Sequence, residues 1–477
     1  MKSAFFEQRT RLVFAVLGII VLAASVFLSL PNLVFVSFSV LLVGALFLFP
    51  EVTVYLLVLA VPFGSLLPLN VGAANVTAAD GLLILAWALY LARGVARRRV
   101  ELKFPPLTLP FVIFILAAAV SITVARSFTD SIAELAKWIE MFAAYWLIAQ
   151  FFDETKIERL LAVMFCAGLA EALFGAYQYY FRVGPEGFLL FGGANLRAYG
   201  TFEQPNPYAG YLGLILPLAL GTGLGIVLQR VNPWRRWLLA LLAGGSFVAM
   251  IAALFFSYSR GAWIGVAAAL GTTLLLVLVR SKRAATLAIV CGLVALIVIG
   301  LGEINLIPNI ITERFATVGD YFNFEDVRGV RANDENFALV ERRAHWQAAV
   351  SMFESSPWIG VGFGNYAVAY PNFALPKWDD PLGHAHNYYL NVLAEAGALG
   401  LVTYLILWGA IFWVVGRATI VSQHWRQGVI AGAFGVLVTL SIHNFFDNLF
   451  VHAMYIQVGL TLGMVAALRA DVSEELV

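Results

Sequence analysis

Charge is what this chain has least of. Only 12% of its 477 residues are Asp, Glu, Lys or Arg, against roughly 25% in a soluble domain. The net charge of +1 argues against a nucleic-acid-binding surface, which requires clustered basic residues. Cysteine is nearly absent. Cys166 and Cys291 both sit inside apolar runs, so no disulfide framework exists and two buried thiols are expected. The basic start "MKSAFFEQRTRLVFAVLGII" is not followed by a small-residue cleavage signal, so it reads as a first span and not a signal peptide. Internal repeats and low-complexity tracts are also missing. What remains is hydrophobicity: 61% apolar residues and a mean hydropathy of +0.84. That composition belongs to a polytopic membrane protein.

A membrane helix needs about 20 mainly apolar residues. About fourteen such runs occur, beginning at 12–30 and 33–49 and ending at 398–416, 428–446 and 450–468. Half-spans or mergers reduce the expectation to 12–14 transmembrane helices in an all-α fold. With the N-terminus inside, the inner segments carry about 19 Lys and Arg and the short outer ones about five. The asymmetry puts both termini in the cytoplasm. Three regions follow: transmembrane helices over 1–302, a large outer loop over 303–386, and C-terminal helices over 387–477. The outer loop is acid-rich, with eleven Asp/Glu against six Lys/Arg. Within it "ERRAHWQAAVSMFESS" has helical periodicity, with Ala344, Ala348 and Met352 on one face and Trp346, Val350 and Phe353 alongside. "SSPWIGVGFGNY" then breaks the helix. A structureless loop of this length is unusual, so a partly helical cap is expected.

The informative polar residues gather on the outer side. Arg260, in "FSYSRGAWIG", lies in a short connector between spans. It is either an interfacial anchor that snorkels or an anion site, with Ser257 and Ser259 as further donors and Gly261 allowing close approach. A guanidinium suits phosphate because its planar fork bonds bidentately and stays charged. Arg197 sits in a glycine- and proline-shaped loop before "EQPNPYAG". His384 and His386, in "GHAHNYYLNVLAEAGALG", read as opening the last outer helix. They are interfacial histidines, a general base, or metal ligands together with Asp379 and Asp380. Alternate residues on a helix point apart, so both rings reach one ion only if the stretch is extended. Asn387, Asn391 and Glu395 form a polar stripe that either orients the imidazole or packs on neighbours. Gly397 and Gly400 allow close helix packing. In "SIHNFFDNLF", His443 and Asp447 lack an identifiable basic partner and read as structural.

The ordered set "GTFEQPNPYAGYL", "SYSRGAWIG", "SPWIGVGFGNY" and "HAHNYYLNVLAEAGALG" resembles the O-antigen ligase and polymerase superfamily of bacterial envelope glycan assembly. The match covers about 197–400. The resemblance implies a fold like the C-type glycosyltransferases, with a periplasmic cap and active site, in the bacterial inner membrane. It implies a glycan donor on undecaprenyl diphosphate and a hydroxyl acceptor, lipid A-core for a ligase or a growing glycan for a polymerase. It implies inverting, metal-independent chemistry with no cofactor. By motif, His386 matches the family's essential histidine, with His384 a neighbour. Arg197 and Arg260 match its phosphate-binding arginines, and Asn387 and Glu395 are possible supporting residues. Asp447 falls where many members carry an acidic residue. The 303–340 stretch departs from the pattern.

In this reading His386 takes the acceptor proton while the two arginines hold the departing diphosphate, in place of a metal cation. Ligase and polymerase differ only in the acceptor. A small-anion transporter is the rival from another class, but it would place charges or broken helices near the bilayer midplane, often in paired repeats. A membrane scaffold with a binding cap would not need Arg260 and His386 together.

Overall fold

The computed structural model describes residues 44–64, 69–71, 74–98, 102–190, 192–229, 234–278, 326–331 and 336–474, with isolated positions before 44. The expected spans at 12–30 and 285–302, Cys291, and the 303–325 part of the expected outer loop lie outside the described residues. In chain order the helices are α1 (Pro50–Phe63), α2 (Ala78–Ala96), α3 (Thr108–Ser121), α4 (Phe128–Phe151), α5 (Glu154–Phe181), α6 (Pro205–Gln229), α7 (Trp234–Phe256), α8 (Arg260–Leu278), α9 (Phe337–Ser355), α10 (Tyr366–Ala369), α11 (Tyr388–Val421), α12 (His424–His443) and α13 (Met454–Glu474). Among the described residues, α2, α5, α6, α7, α8, α11 and α12 are long and apolar enough to cross a membrane, and α1 and α13 are shorter apolar helices, as is α3 with the turn after it. Among the described residues sheet is confined to two antiparallel pairs, Leu69–Val71 with Ala74–Val76 and Leu189–Leu190 with Asn195–Leu196. The chain is an all-α polytopic membrane protein.

Helix α4 starts earlier than the run at 135–152. The Ser127 side chain caps it by accepting from the Asp130 amide, and Asp130, Glu134, Lys137 and Glu140 keep it out of the seven. Cys166 is exposed on α5 and not buried: its apolar run faces outward at that position, where lipid can cover it.

Two glycine seams bring backbones together. A Cβ on Gly221 of α6 would lie 2.2 Å from the Gly428 carbonyl of α12, and one on Gly225 would lie 3.0 Å from the Gly428 Cα. Small residues four apart permit this approach where lipid offers no hydrophobic drive. The second seam is Gly397 in α11, which has φ 64° and ψ −162°. A side chain there would collide with the Trp358 backbone at 2.4 Å. The kink opens the helical ladder, and the loop 357–362 fills it. Val361 and Gly362 donate to the Ala394 and Glu395 carbonyls (both 3.0 Å), and Ala398 donates to Pro357 (2.8 Å). The run expected to begin at 398 is therefore continued outward by a separate short helix, Tyr388–Ala396.

One end of the bundle is closed by ion pairs. Arg236 bonds Glu158 (2.7 Å) and Glu154 (3.0 Å), and Arg426 bonds Glu154 (3.0 Å). This network ties α5, α7 and α12 together. The opposite end carries the cap helix α9 and the loops of the site below. Helix α9 spans Phe337–Ser355 where 341–356 was expected, and buries Ala344, Trp346, Ala348 and Met352. Val350 stays 39% exposed, so that position faces away from the packed stripe.

Candidate active site

The Arg197 loop is held from below by α5. Gln178 accepts at one oxygen from the Tyr199 and Gly200 amides (3.1 and 2.8 Å), and the buried Glu171 accepts from the Thr201 amide and hydroxyl (3.2 and 2.7 Å). The loop thereby fixes the guanidinium. Arg197 Nε donates to the Ser257 carbonyl (2.8 Å) and Nη2 to Asn206 Oδ1 (3.0 Å).

Arg260 is the first residue of α8, after a sharp turn in which Tyr258 takes φ 53°. Arg197 and Arg260, sixty-three positions apart, line one cavity of about 90 Å³. Asn206, Ser259, Gly261 and His443 join them, and α9 contributes Arg342. Three guanidinium groups and the N-terminus of a helix converge there, an arrangement whose charge and backbone dipole suit an anion. A water's share of liquid volume is about 30 Å³, so the cavity has room for a phosphate-sized group. Gly261 also lets α12 and the turn after it approach, since a Cβ would lie 2.9 Å from Phe446 and 3.1 Å from His443.

The histidine stretch is not helical. Asn387 caps α11 by accepting from the Leu390 amide (3.1 Å), so the helix begins after both imidazoles. Leu382, Gly383 and His386 all have left-handed backbones, with φ 48°, 83° and 51°. Such conformations cost of order 1–3 kcal/mol each for ordinary residues and persist where surroundings enforce them. Asn391 enforces this one by accepting from the Ala385 amide (3.1 Å). The polar stripe thus shapes the loop and the cap junction, with Glu395 accepting from the Tyr366 amide (3.0 Å), and does not touch the imidazoles.

Because the stretch is irregular, the two rings turn to one partner. His386 Nδ1 and His384 Nε2 lie 3.4 and 3.5 Å from the same oxygen of Asp447. The expectation that Asp447 had no basic partner is corrected: the partners are remote in sequence and meet it only through the fold. The His386 amide donates to His384 Nδ1 (3.0 Å). That nitrogen is therefore unprotonated, and His384 presents Nε2–H to the carboxylate. Burial and the neighbouring His386 charge push His384 down to about 3, so it stays neutral. Burial raises the Asp447 carboxyl, but the His386 hydrogen bond and the His386, His384 and Arg342 charges outweigh it and hold it well below the usual carboxylate range. Asp447 also accepts from Asn206 Nδ2 (2.8 Å). One polar chain, Arg197–Asn206–Asp447–His386, therefore joins the anion cavity to the imidazole.

Helix α9 covers this chain with residues that sequence reasoning did not single out. His345 lies edge-on to His386, centroids 5.9 Å apart, and stacks on Tyr370 at 4.7 Å. Burial and the His386 charge push it down to about 4. Glu341 is raised by burial. Arg342 was visible only as a polar position of an amphipathic helix. Asn206 was visible only inside the "EQPNPYAG" turn.

His384, His386 and Asp447 each offer a ligand atom within 4.8 Å of the others. The stretch is irregular and not extended, and this irregular backbone is what brings both rings to the same carboxylate.

Residues 245–405 match a family model described as O-Antigen ligase. The match contains Arg260, Arg342, His384, His386, Asn387 and Glu395, and leaves Arg197 and Asp447 outside. No curated protein matches the chain. A solved structure titled "Structural coordination of polymerization and crosslinking by a peptidoglycan synthase complex" is similar over 77% of this chain and 97% of that one, at 16% identity and a TM-score of 0.43, too slight a likeness to carry fold or function. The ordered motifs and the multi-pass helical fold thus accompany a segment, residues 245–405, that is similar to the O-antigen ligase family.

Proposed function

We propose that the chain is an inverting membrane glycosyltransferase that moves a glycan from undecaprenyl diphosphate to a hydroxyl acceptor at the periplasmic face of the inner membrane, with both termini cytoplasmic. Lipid A-core is the acceptor in the ligase form of this reading; a growing glycan is the acceptor in the polymerase form. The observation that carries it is the polar chain from the three-arginine cavity through Asn206 and Asp447 to His386.

His386 Nδ1 faces Asp447, which leaves Nε2 as the basic nitrogen. That nitrogen takes the acceptor hydroxyl proton as the oxygen attacks the anomeric carbon. The bond from that carbon to the diphosphate oxygen breaks on the opposite side, and the configuration inverts. Arg197, Arg260 and Arg342 stabilise the charge on the departing diphosphate. Asp447 stabilises the imidazolium that forms and fixes the ring. His384 stays neutral and holds the His386 backbone. Glycan transfer by purified protein from a lipid diphosphate donor, with and without chelator, tests the reading; absence of transfer sinks it.

A second reading follows from the His384, His386 and Asp447 cluster, which has the donor set of a divalent transition-metal site. Under it chelator abolishes transfer and added metal restores it. Under the base mechanism chelator has no effect.

The arginines yield a further expected result. Arg260→Lys keeps the charge and loses the bidentate fork. A hydrogen bond to a charged group contributes about 1.5–3 kcal/mol, so kcat/KM should fall about 10- to 100-fold. Unchanged kinetics would remove Arg260 from the diphosphate site.

A further inference from the structure

Helix α9 has two working faces. Ala338 and Arg342 line the anion cavity. Arg343, Trp346, Gln347, Val350, Ser351 and Glu354 line a second, open cavity of about 410 Å³, walled on its other side by Asp326 and Arg328. The spacing of these α9 positions repeats every three to four residues, so they form one stripe. At about 1.5 Å per residue the stripe from Arg343 to Glu354 runs roughly 16 Å, which makes the cavity a lane along the helix. The opposite wall is anchored by Val327, 3% exposed, which packs with Val340, Ala344 and Leu375. Trp346 forms the floor. Its ring meets Phe445 edge-on at 5.8 Å, and the adjacent Phe446 lines the anion cavity. The two cavities therefore share a wall.

We propose that this lane binds a saccharide segment of the transferred or accepting glycan, away from the reacting sugar; the choice of ligand class rests on the glycan-transfer reading. The volume lies in the range of about 300–1,000 Å³ typical of small-molecule sites. The lining is balanced in charge, with Asp326 and Glu354 against Arg328 and Arg343. A polyanion finds no net attraction there, and an apolar chain would have to strip water from the charged groups of Asp326, Arg328, Arg343 and Glu354. A sugar ring matches it: each hydroxyl both donates and accepts, guanidinium forks and the Gln347 amide reach adjacent hydroxyls, and carboxylates accept from them. Val350, 39% exposed, offers an apolar contact for the C–H face of a ring. Contacts remote from the reacting bond can orient a long substrate at the base and the diphosphate pocket.

The probe is a set of lipid-free oligosaccharides released by mild acid from the source organism's envelope, measured by saturation-transfer NMR on the full chain in nanodiscs. Wild type should bind them. Ser351→Trp, which fills the lane, and the double variant Arg343→Ala/Gln347→Ala should each weaken binding at least tenfold and raise the KM for the glycan substrate with little change in kcat. His386→Ala should bind the oligosaccharides as wild type does. If neither lane variant that folds changes oligosaccharide affinity, the proposal is overturned. If oligosaccharides bind and the lane variants abolish it while no transfer from a lipid diphosphate occurs, the lane stands and the transferase reading falls.

Discussion

His386→Ala should lower kcat for glycan transfer about 10²–10⁴-fold, the contribution typical of a positioned general base, while the protein still inserts and elutes as wild type. The side chain is only partly buried, at 19% exposure, and its ring meets the imidazoles of His345 and His384, not the apolar contacts between the long helices. The loss should therefore be chemical and not structural. Donor binding should persist, because the three arginines that line the anion cavity are untouched. His384→Ala should behave differently. Its imidazole accepts one hydrogen bond from the His386 amide (3.0 Å), and a bond of this kind contributes about 0.5–1.5 kcal/mol. A decrease of about tenfold or less is expected there. Steady-state transfer assays on both variants decide the matter. Activity of His386→Ala within tenfold of wild type would end the base assignment.

Asp447→Asn should lower kcat by about 10²-fold or more, since a buried carboxylate that orients a catalytic histidine sets its tautomer and stabilises its protonated form. The amide keeps the shape and loses the charge that faces both imidazoles and Asn206. Asp447 acts through His386 and is a positioning residue, so its test needs a readout that a purely structural role would leave unmoved. That readout is the split between kcat and KM together with rescue by the conservative variant: kcat should fall with KM little changed, and Asp447→Glu, which keeps the charge, should recover part of the rate. Equal losses in Asp447→Asn and Asp447→Glu would mean a packing defect only. The pH dependence of stability is separate. Asp447 is depressed, so its contribution is present above the ordinary carboxylate range and is lost only as pH falls through its lowered pKa. His384 and His345 are held neutral, down to about 3 and about 4. The unfolded chain binds their protons below about 6.5, so their contribution is full above that pH and erodes as pH falls towards 4 and then 3. Hydrogen exchange in α9 and the 382–387 loop should rise over that window.

The helical content was legible because each described span is a run of apolar residues, and a bilayer admits almost nothing else. The cap helix was legible from Ala344, Ala348 and Met352, which do pack inward. Arg197 and Arg260 could be singled out locally, each as a charge among glycines beside an apolar run. Asp447 could not. Its carboxylate gains a role only from Asn206, 241 positions away, and from imidazoles some sixty positions upstream. The charges of α4 were legible in sequence too, yet the apolar half that follows them hid how far the helix extends.

The sequence by itself determined a multi-pass helical membrane protein and a short roster of polar residues along one side of it, because partition into a bilayer is a local, additive property of successive side chains. Which of those residues share a cavity was decided by tertiary structure alone. The kink at Gly397, the left-handed backbone at His386 and the close approach of α12 to α8 at Gly261 turn the rings, the carboxylate and the arginines toward one another. These are packing constraints between segments far apart in the chain. Periodicity and composition carry no record of them, since the same glycines and histidines read locally as turns, helix starts or interfacial anchors.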